Sequence, residues 1–151
     1  MIAVVQRVSQ ATVVVEDRTV GEINHGLVVL AAVETGDGDE QIKWMTQKVL
    51  GLRIFRNEDR HFDLDVTQVG GAVLLVSNFT VSAETRKGRR PSLDAAASPA
   101  VAEAMFARLV SAFRATGIRT ETGEFGGDMK VTLTNDGPAT FIVRTDRPPT
   151  G

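Results

Sequence analysis

The sequence has no cysteine and no tyrosine, and it contains one tryptophan and two histidines. Without cysteine the chain cannot form a disulfide, a thiolate zinc site, an iron–sulfur cluster or a cysteine nucleophile. The longest apolar run, residues 27–33, is too short to span a bilayer. No basic region precedes the apolar residues after Met1, so the sequence predicts no signal peptide and a cytoplasmic protein.

The common catalytic and nucleotide-binding motifs are also absent. The chain has no G-x-G-x-x-G, no Walker loop, no G-x-S-x-G and no H-E-x-x-H. Nineteen acidic and 17 basic residues give a net charge of −2, so no overall field attracts nucleic acid. With 151 residues, 42% hydrophobic and 24% charged, the composition is typical of one soluble globular domain.

Apolar periodicity predicts a mixed fold of two helices and about eight strands. The first helix is expected after Asp37, with Glu40 as its partner in a capping box. The second is expected after Ser98 and Pro99 and ends at Gly117. Strands are predicted near residues 2–7, 12–15, 19–23, 27–33, 53–55, 72–76, 118–125, 130–134 and 140–143.

These elements predict one mixed α/β domain over residues 1–145. We expect largely antiparallel strands in layered sheets, with both main helices packed on one side, and a flexible tail over residues 146–151. So many strands leave free sheet edges, and pairing with a second copy of the chain is one way to cover them.

A carboxylate-rich metal site is one interpretation of His61, Asp63 and Asp65, which alternate along the chain. The favoured interpretation is the solvated face of an edge strand. Neither histidine neighbours a hydroxyl that it could activate, so nothing supports a Ser-His-Asp triad.

The segment Ser77, Asn78, Phe79 and Thr80 ends a buried apolar strand in two hydroxyls and an amide. Functional loops often begin where a rigid strand ends. Taken alone, however, the segment is more typical of an ordinary strand terminus.

Four cations lie within five positions at Arg86, Lys87, Arg89 and Arg90. Such a cluster binds a polyanion with strong salt dependence, or it is simply a solvated loop. Because aromatic residues are few, contact with phosphates is favoured over stacking on bases.

Asn135, Asp136, Gly137 and Pro138 are typical turn residues, and the sequence predicts a hairpin turn at this point. A Gly-Pro bond adopts the cis form more readily than other peptide bonds. Taken alone, the segment is an ordinary β-turn.

Together these segments resemble the D-aminoacyl-tRNA deacylases, formerly called D-tyrosyl-tRNA deacylases. The similarity runs from Met1 to about Arg144 and includes the opening residues 1–8 and the segments 52–55, 90–92 and 123–129. Residues 77–81 resemble the family's Ser-Gln-Phe-Thr-Leu, and residues 135–140 resemble its Asn-x-Gly-Pro-Val-Thr. Asn78 stands where the family usually has glutamine, so its amide is one methylene shorter.

The resemblance implies a homodimer that hydrolyses the ester between a D-amino acid and the terminal adenosine of tRNA. Glycyl-tRNA is also an implied substrate. Gly137 and Pro138, joined by a cis bond, are expected to enter the partner's pocket and to present carbonyls that exclude the Cβ of an L-amino acid.

The resemblance further implies a site that needs neither a cofactor nor a metal. An aminoacyl ester is already activated, and the ribose 2′-OH can assist the attack of water. Asn78, Phe79 and Thr80 are the expected catalytic residues, with backbone N–H groups near Phe79 and Thr80 binding the oxyanion. Positioning is favoured for Thr80, and nucleophilic attack is the lesser option. Ser77, Asn78, Phe79 and Met129 would line the pocket, while the basic cluster would contact tRNA phosphates.

Two other classes of protein stay open. A non-catalytic RNA-binding module could use the same basic cluster to hold acceptor ends. A small-molecule esterase or peptidase is a weaker alternative, because the sequence shows no catalytic triad.

Overall fold

The first strand organises the fold because it pairs with three others. In the computed structural model, which describes residues 1–145, β1 (Ile2–Val15) is antiparallel to all of its partners. Its first half pairs with β3 and its second half with β2 on the same side, while β6 runs along the other side. The predicted tail, residues 146–151, lies outside the described residues.

The remaining elements follow in chain order. They are β2 (Arg18–Ile23), β3 (Gly26–Ala32), α1 (Asp39–Leu50), β4 (Ala72–Ser77), a 3₁₀ helix (Phe79–Ser82), α2 (Pro99–Ala115), β5 (Thr120–Thr122) and β6 (Lys130–Arg144).

The described strands form one six-stranded sheet in which the pairings run from β2 to β1, β3, β4 and β5, and β6 pairs with β1 along its other side. The β3–β4 and β4–β5 pairs are parallel, and the three pairs made by β1 are antiparallel. The sheet curls towards a barrel: Arg119 beside β5 donates from Nη2 to the Glu22 carbonyl of β2 at 3.2 Å. The predicted mixed α/β fold with two main helices is confirmed. The layered sheets expected from the sequence are parts of one curled sheet.

Two apolar cores explain why β3 and β4 are hydrophobic on both faces. Leu27 and Val29 of β3 face a core that the two helices cover. Val28 points the other way, into a second core enclosed by the curl of the sheet, together with Leu74 of β4. The central strands are therefore fixed on both sides, which makes their carboxyl ends a rigid base for a site.

Several predicted strand boundaries were wrong. The predicted strands 2–7 and 12–15 are one continuous β1, and those at 130–134 and 140–143 are one continuous β6. Near residues 53–55 only Phe55 makes a bridge, to Leu64. The strand expected over residues 118–125 covers only Thr120–Thr122.

The predicted hairpin turn at residues 135–138 was also wrong. Gln6 of β1 lies opposite Thr140 and Val8 lies opposite Asn135, so four residues of β6 face the single residue Arg7. We call residues 136–139 the β6 bulge. The chain leaves the ladder there and returns to the same partner strand, which no hairpin does.

The predicted cap of α1 was wrong by one residue. Gly38 is the N-cap, and its N–H donates to the Gln41 side chain at 2.8 Å. Asp37 accepts a hydrogen bond from the Met1 α-ammonium at 2.6 Å instead, beside Glu34, which accepts from the same ammonium at 3.1 Å. A buried ammonium needs charged partners, and this requirement outweighs the capping preference.

Candidate active site

Two adjoining pockets open at the carboxyl ends of β3 and β4. The larger has a volume of about 530 Å³ and the smaller about 340 Å³. Six residues line both: Ser77, Asn78, Phe79, Gly127, Asp128 and Met129. The pocket residues expected from the sequence, Ser77, Asn78, Phe79 and Met129, therefore come together.

The end of β4 positions the first three of these residues. The Asn78 N–H continues the parallel ladder by donating to the Ala31 carbonyl at 2.9 Å. The chain then turns into the 3₁₀ helix, where Val81 donates to the Asn78 carbonyl at 3.2 Å and the Ser82 hydroxyl donates to the Phe79 carbonyl at 2.8 Å. This turn leaves Phe79 57% exposed at the mouth of both pockets.

Met129 reaches the pockets because Gly123 leaves room for it. A Cβ built on Gly123 would lie 2.5 Å from the Met129 sulfur and 3.4 Å from a methyl group of Val13. Any other residue at position 123 would therefore displace the Met129 side chain from the wall that it shares with Phe79.

Hydrogen-bond donors gather at the start of the 3₁₀ helix. Phe79 and Thr80 are its first two residues, so their N–H groups have no acceptor within the helix. The Thr80 hydroxyl donates to Asn78 Oδ1 at 2.5 Å. An amide oxygen does not act as a general base, so this contact orients Thr80 without activating it. Thr80 is exposed and lies beside the pockets without lining either one.

Acid–base residues are scarce at the site. Among the described residues, Asp128 and Lys130 are the titratable side chains in the pocket walls, and both are exposed. His25 precedes β3 at the opposite end of the sheet, roughly 20 Å from the pocket residue Ala31, and it packs against Phe55. Within residues 1–145 the site therefore offers hydrogen bonds and shape, with no paired nucleophile and base.

Asp63 and Asp65, the carboxylates of the possible metal site, form hydrogen bonds with neighbouring protein groups. Asp63 accepts hydrogen bonds from Arg53 at 2.5 Å and from Asn57. Burial alone would raise the pKa of Asp65. Hydrogen bonds from the Thr67 hydroxyl and from the backbone N–H groups of Gln68 and Thr67 nevertheless hold that pKa below its ordinary value. Within residues 1–145 no group of three or more His, Asp or Glu side chains is placed to hold a metal.

The basic cluster lies on an exposed loop that Glu84 and Ser92 close with two backbone hydrogen bonds of 2.9 Å. Arg86 is paired within this loop, because its Nη2 lies 2.9 Å from a Glu84 oxygen. That hydrogen bond lowers the pKa of Glu84 and raises the pKa of Arg86. No carboxylate among the described residues forms an ion pair with the other three cations, Lys87, Arg89 and Arg90.

The β6 bulge carries Gly137 and Pro138, and neither residue lines either of the two pockets described above. Their peptide bond is cis, as the family resemblance implied. Arg7, which is 2% exposed, holds the base of the bulge. Its Nε donates to the Asp136 carbonyl at 2.7 Å and its Nη1 to the Ile54 carbonyl at 2.5 Å.

Sequence reasoning missed the apolar wall of the larger pocket. Pro99, Ala102 and Phe106 of α2 form this wall together with Leu93 and Phe125. The apolar periodicity of this helix predicted an amphipathic element, but it did not indicate that Ala102 and Phe106 line a cavity.

The site offers an amide, a hydroxyl, free N–H groups and an exposed ring, which are groups that can bind and orient a substrate. The family model described as D-Tyr-tRNA(Tyr) deacylase matches residues 4–144. The chain therefore belongs to the D-aminoacyl-tRNA deacylase family of hydrolases.

Curated relatives agree with the family model over nearly the full length of the chain. A D-aminoacyl-tRNA deacylase of Photorhabdus laumondii is 50% identical over 144 residues, which are 95% of this chain and 99% of that protein. A D-aminoacyl-tRNA deacylase of Geobacter metallireducens is 48% identical over 147 residues, which are 97% of both chains.

Solved structures share the fold. The structure titled c-Myc DNA Unwinding Element Binding Protein has a TM-score of 0.92 and 32% identity, covering 97% of this chain and 100% of that one. A probable eukaryotic D-amino acid tRNA deacylase has a TM-score of 0.83 with 16% identity, covering 94% of this chain and 97% of that one, and supports the fold alone. No helix within residues 1–145 is long and apolar enough to cross a membrane.

Proposed function

We propose that this chain hydrolyses the ester bond of D-aminoacyl-tRNA, releasing the D-amino acid and free tRNA, and that it also accepts glycyl-tRNA mischarged on other tRNAs. The observation that carries the proposal is the pocket formed by Ser77, Asn78, Phe79 and Met129 in a chain of this family. Charged tRNA is used by cytoplasmic ribosomes, so we place the activity in the cytoplasm.

The larger pocket takes the terminal adenosine and its aminoacyl group. Its walls are mostly apolar, and the exposed Phe79 ring offers a face on which a base can stack. The free N–H groups of Phe79 and Thr80 point to an oxyanion site, because preorganised donors stabilise the charge that develops on the ester oxygen. Asn78 adds a side-chain amide in the same wall.

Hydrolysis then proceeds by attack of water, assisted by the neighbouring ribose 2′-OH. The ester carbon bonds to the water oxygen, the bond to the ribose oxygen breaks, and that oxygen takes a proton as the tRNA leaves. Thr80 holds Asn78 and does not attack, because its hydroxyl donates to an amide oxygen and His25 lies at the other end of the sheet.

Discrimination between D- and L-amino acids requires a second copy of the chain. β6 pairs only with β1 among the described strands, and Ile142, four residues beyond Pro138, is 75% exposed. An uncovered 15-residue edge strand with an exposed apolar side chain favours a homodimer. The Gly137 and Pro138 carbonyls would then enter the partner's pocket and exclude an L-amino acid through its Cβ.

The loop at Lys87, Arg89 and Arg90 contacts phosphates near the acceptor end. These three cations have no ion-pair partner among the described residues, so tRNA phosphates would neutralise them and release counterions.

A non-catalytic nucleic-acid-binding protein is the second candidate, because a structure at 32% identity carries a DNA-binding title. Incubation with D-tyrosyl-tRNA separates the two functions. Several turnovers per protomer support the hydrolase, whereas protection of the ester without turnover supports the binding protein. Rapid hydrolysis of simple activated esters would instead favour a small-molecule esterase.

A further inference from the structure

We propose that Asn135 is a positioning residue that sets the stereoselectivity of the site through the β6 bulge. The inference rests on the proposed function, in which the Gly137 and Pro138 carbonyls reject L-amino acids. Asn135 lines neither of the two pockets, so we expect its effect on selectivity to pass through the bulge.

The bulge interrupts the β1–β6 ladder, and backbone groups at its base lose their usual partners. Four residues of β6 face Arg7 alone, so the carbonyls of Arg7 and Ala139 need donors from elsewhere. The Asn135 amide supplies both. Its Nδ2 donates to the Arg7 carbonyl at 3.1 Å and to the Ala139 carbonyl at 3.0 Å.

These two bonds use the full donor capacity of the amide, which has two hydrogens on one nitrogen. One bond crosses to β1 and the other closes the bulge on itself. The amide therefore fixes the bulge both to its neighbouring strand and at its far end.

The carbonyl oxygen of the Asn135 amide lies beside Gly137, whose own carbonyl is proposed to exclude the L-substrate. A Cβ built on Gly137 would overlap Asn135 Oδ1 and lie 2.6 Å from the Ala139 nitrogen. The Asn135 side chain thus fills the inside of the bulge, and it limits how far the Gly137 backbone can fall back towards β1.

Asn135→Asp is the sharpest test because it keeps the shape and removes both donors. The carboxylate would face two carbonyl oxygens, so the bulge would relax and the proposed carbonyl barrier would move. We expect the ratio of kcat/KM for D-tyrosyl-tRNA to that for L-tyrosyl-tRNA to fall about tenfold or more, through a faster reaction of the L-substrate.

Asn24→Asp is the matched control. It makes the same chemical change at an exposed residue between β2 and β3, and it should leave the ratio at the wild-type value. Asn135→Gln keeps both donors on a longer arm and should give a ratio between those of wild type and Asn135→Asp. This graded recovery is a readout that a merely structural role would not produce.

The outcomes separate the two proposals. A folded Asn135→Asp protein with the wild-type ratio overturns the inference, as does a ratio that falls equally in Asn24→Asp. Should Asn135→Asp fail to fold, Asn135→Gln decides the question, since a wild-type ratio there overturns the inference and a lowered ratio supports it. A wild-type protein that hydrolyses neither substrate contradicts the proposed function itself.

Discussion

Replacing Arg7 with lysine removes the bridge between the β6 bulge and the segment after α1 that contains Ile54, while it keeps the charge. The guanidinium donates to two carbonyls at once, Asp136 at 2.7 Å and Ile54 at 2.5 Å, and its side chain is 3% exposed. A lysine ammonium is a single point on a flexible stem, so it cannot reproduce the fork that spans both oxygens.

The magnitude follows from these two contacts. A hydrogen bond to a charged group contributes about 1.5–3 kcal/mol, and the carbonyl left without a donor places the loss in the upper part of this range. Losing one of the two bonds should therefore lower the free energy of unfolding by about 2–3 kcal/mol. For a domain of this length, that change lowers the melting temperature by roughly 5–10 °C.

Urea denaturation and thermal melting of Arg7→Lys measure this loss directly. Arg56→Lys is the matched control, because Arg56 is exposed and belongs to the same segment as Ile54. The control should stay within about 0.5 kcal/mol of wild type. A loss equally small for Arg7→Lys would refute the claim that a bridged guanidinium holds the bulge.

Three further predictions concern substrate. Gly137→Ala should lower the D-to-L ratio of kcat/KM about tenfold, because its Cβ would lie 2.6 Å from the nitrogen two residues on; an unchanged ratio would contradict the role of the bulge. Thr80→Ala should retain kcat within about tenfold of wild type, since loss of an activated nucleophile would cost far more; single-turnover hydrolysis checks this. Replacing Arg89 and Arg90 together with alanine should reduce the log–log salt slope of tRNA binding by about 1.4–1.8. Arg86→Ala should change that slope less, because Glu84 already neutralises its charge.

Local signals predicted the strand that carries the site, whereas the site residues themselves were assigned through the family resemblance. An apolar run that stops abruptly at Ser77 identifies a buried strand and its end, and the chain itself brings Asn78 and Phe79 to that end. The two main helices could also be predicted from the sequence, since their apolar residues recur at helical spacing. Apolar periodicity and the residues that end helices and strands are sufficient to predict elements of this kind.

The features that were mispredicted depend on contacts distant in sequence. Residues 135–138 have the composition of a hairpin turn, and only the pairing of both flanks with β1 makes them a bulge. Asp37 is a good helix cap by sequence, yet it binds the Met1 ammonium, 36 positions away. The role of Arg7 was missed for the same reason, since its partners Ile54 and Asp136 are 47 and 129 positions away.

Hydrolysis of matched D- and L-tyrosyl-tRNA by the purified wild-type protein tests the central claim most directly. With the protein well below the substrate concentration, the D-ester should be consumed over many turnovers while the L-ester decays at its spontaneous rate. Equal rates for the two esters, or no turnover of either, would contradict the account.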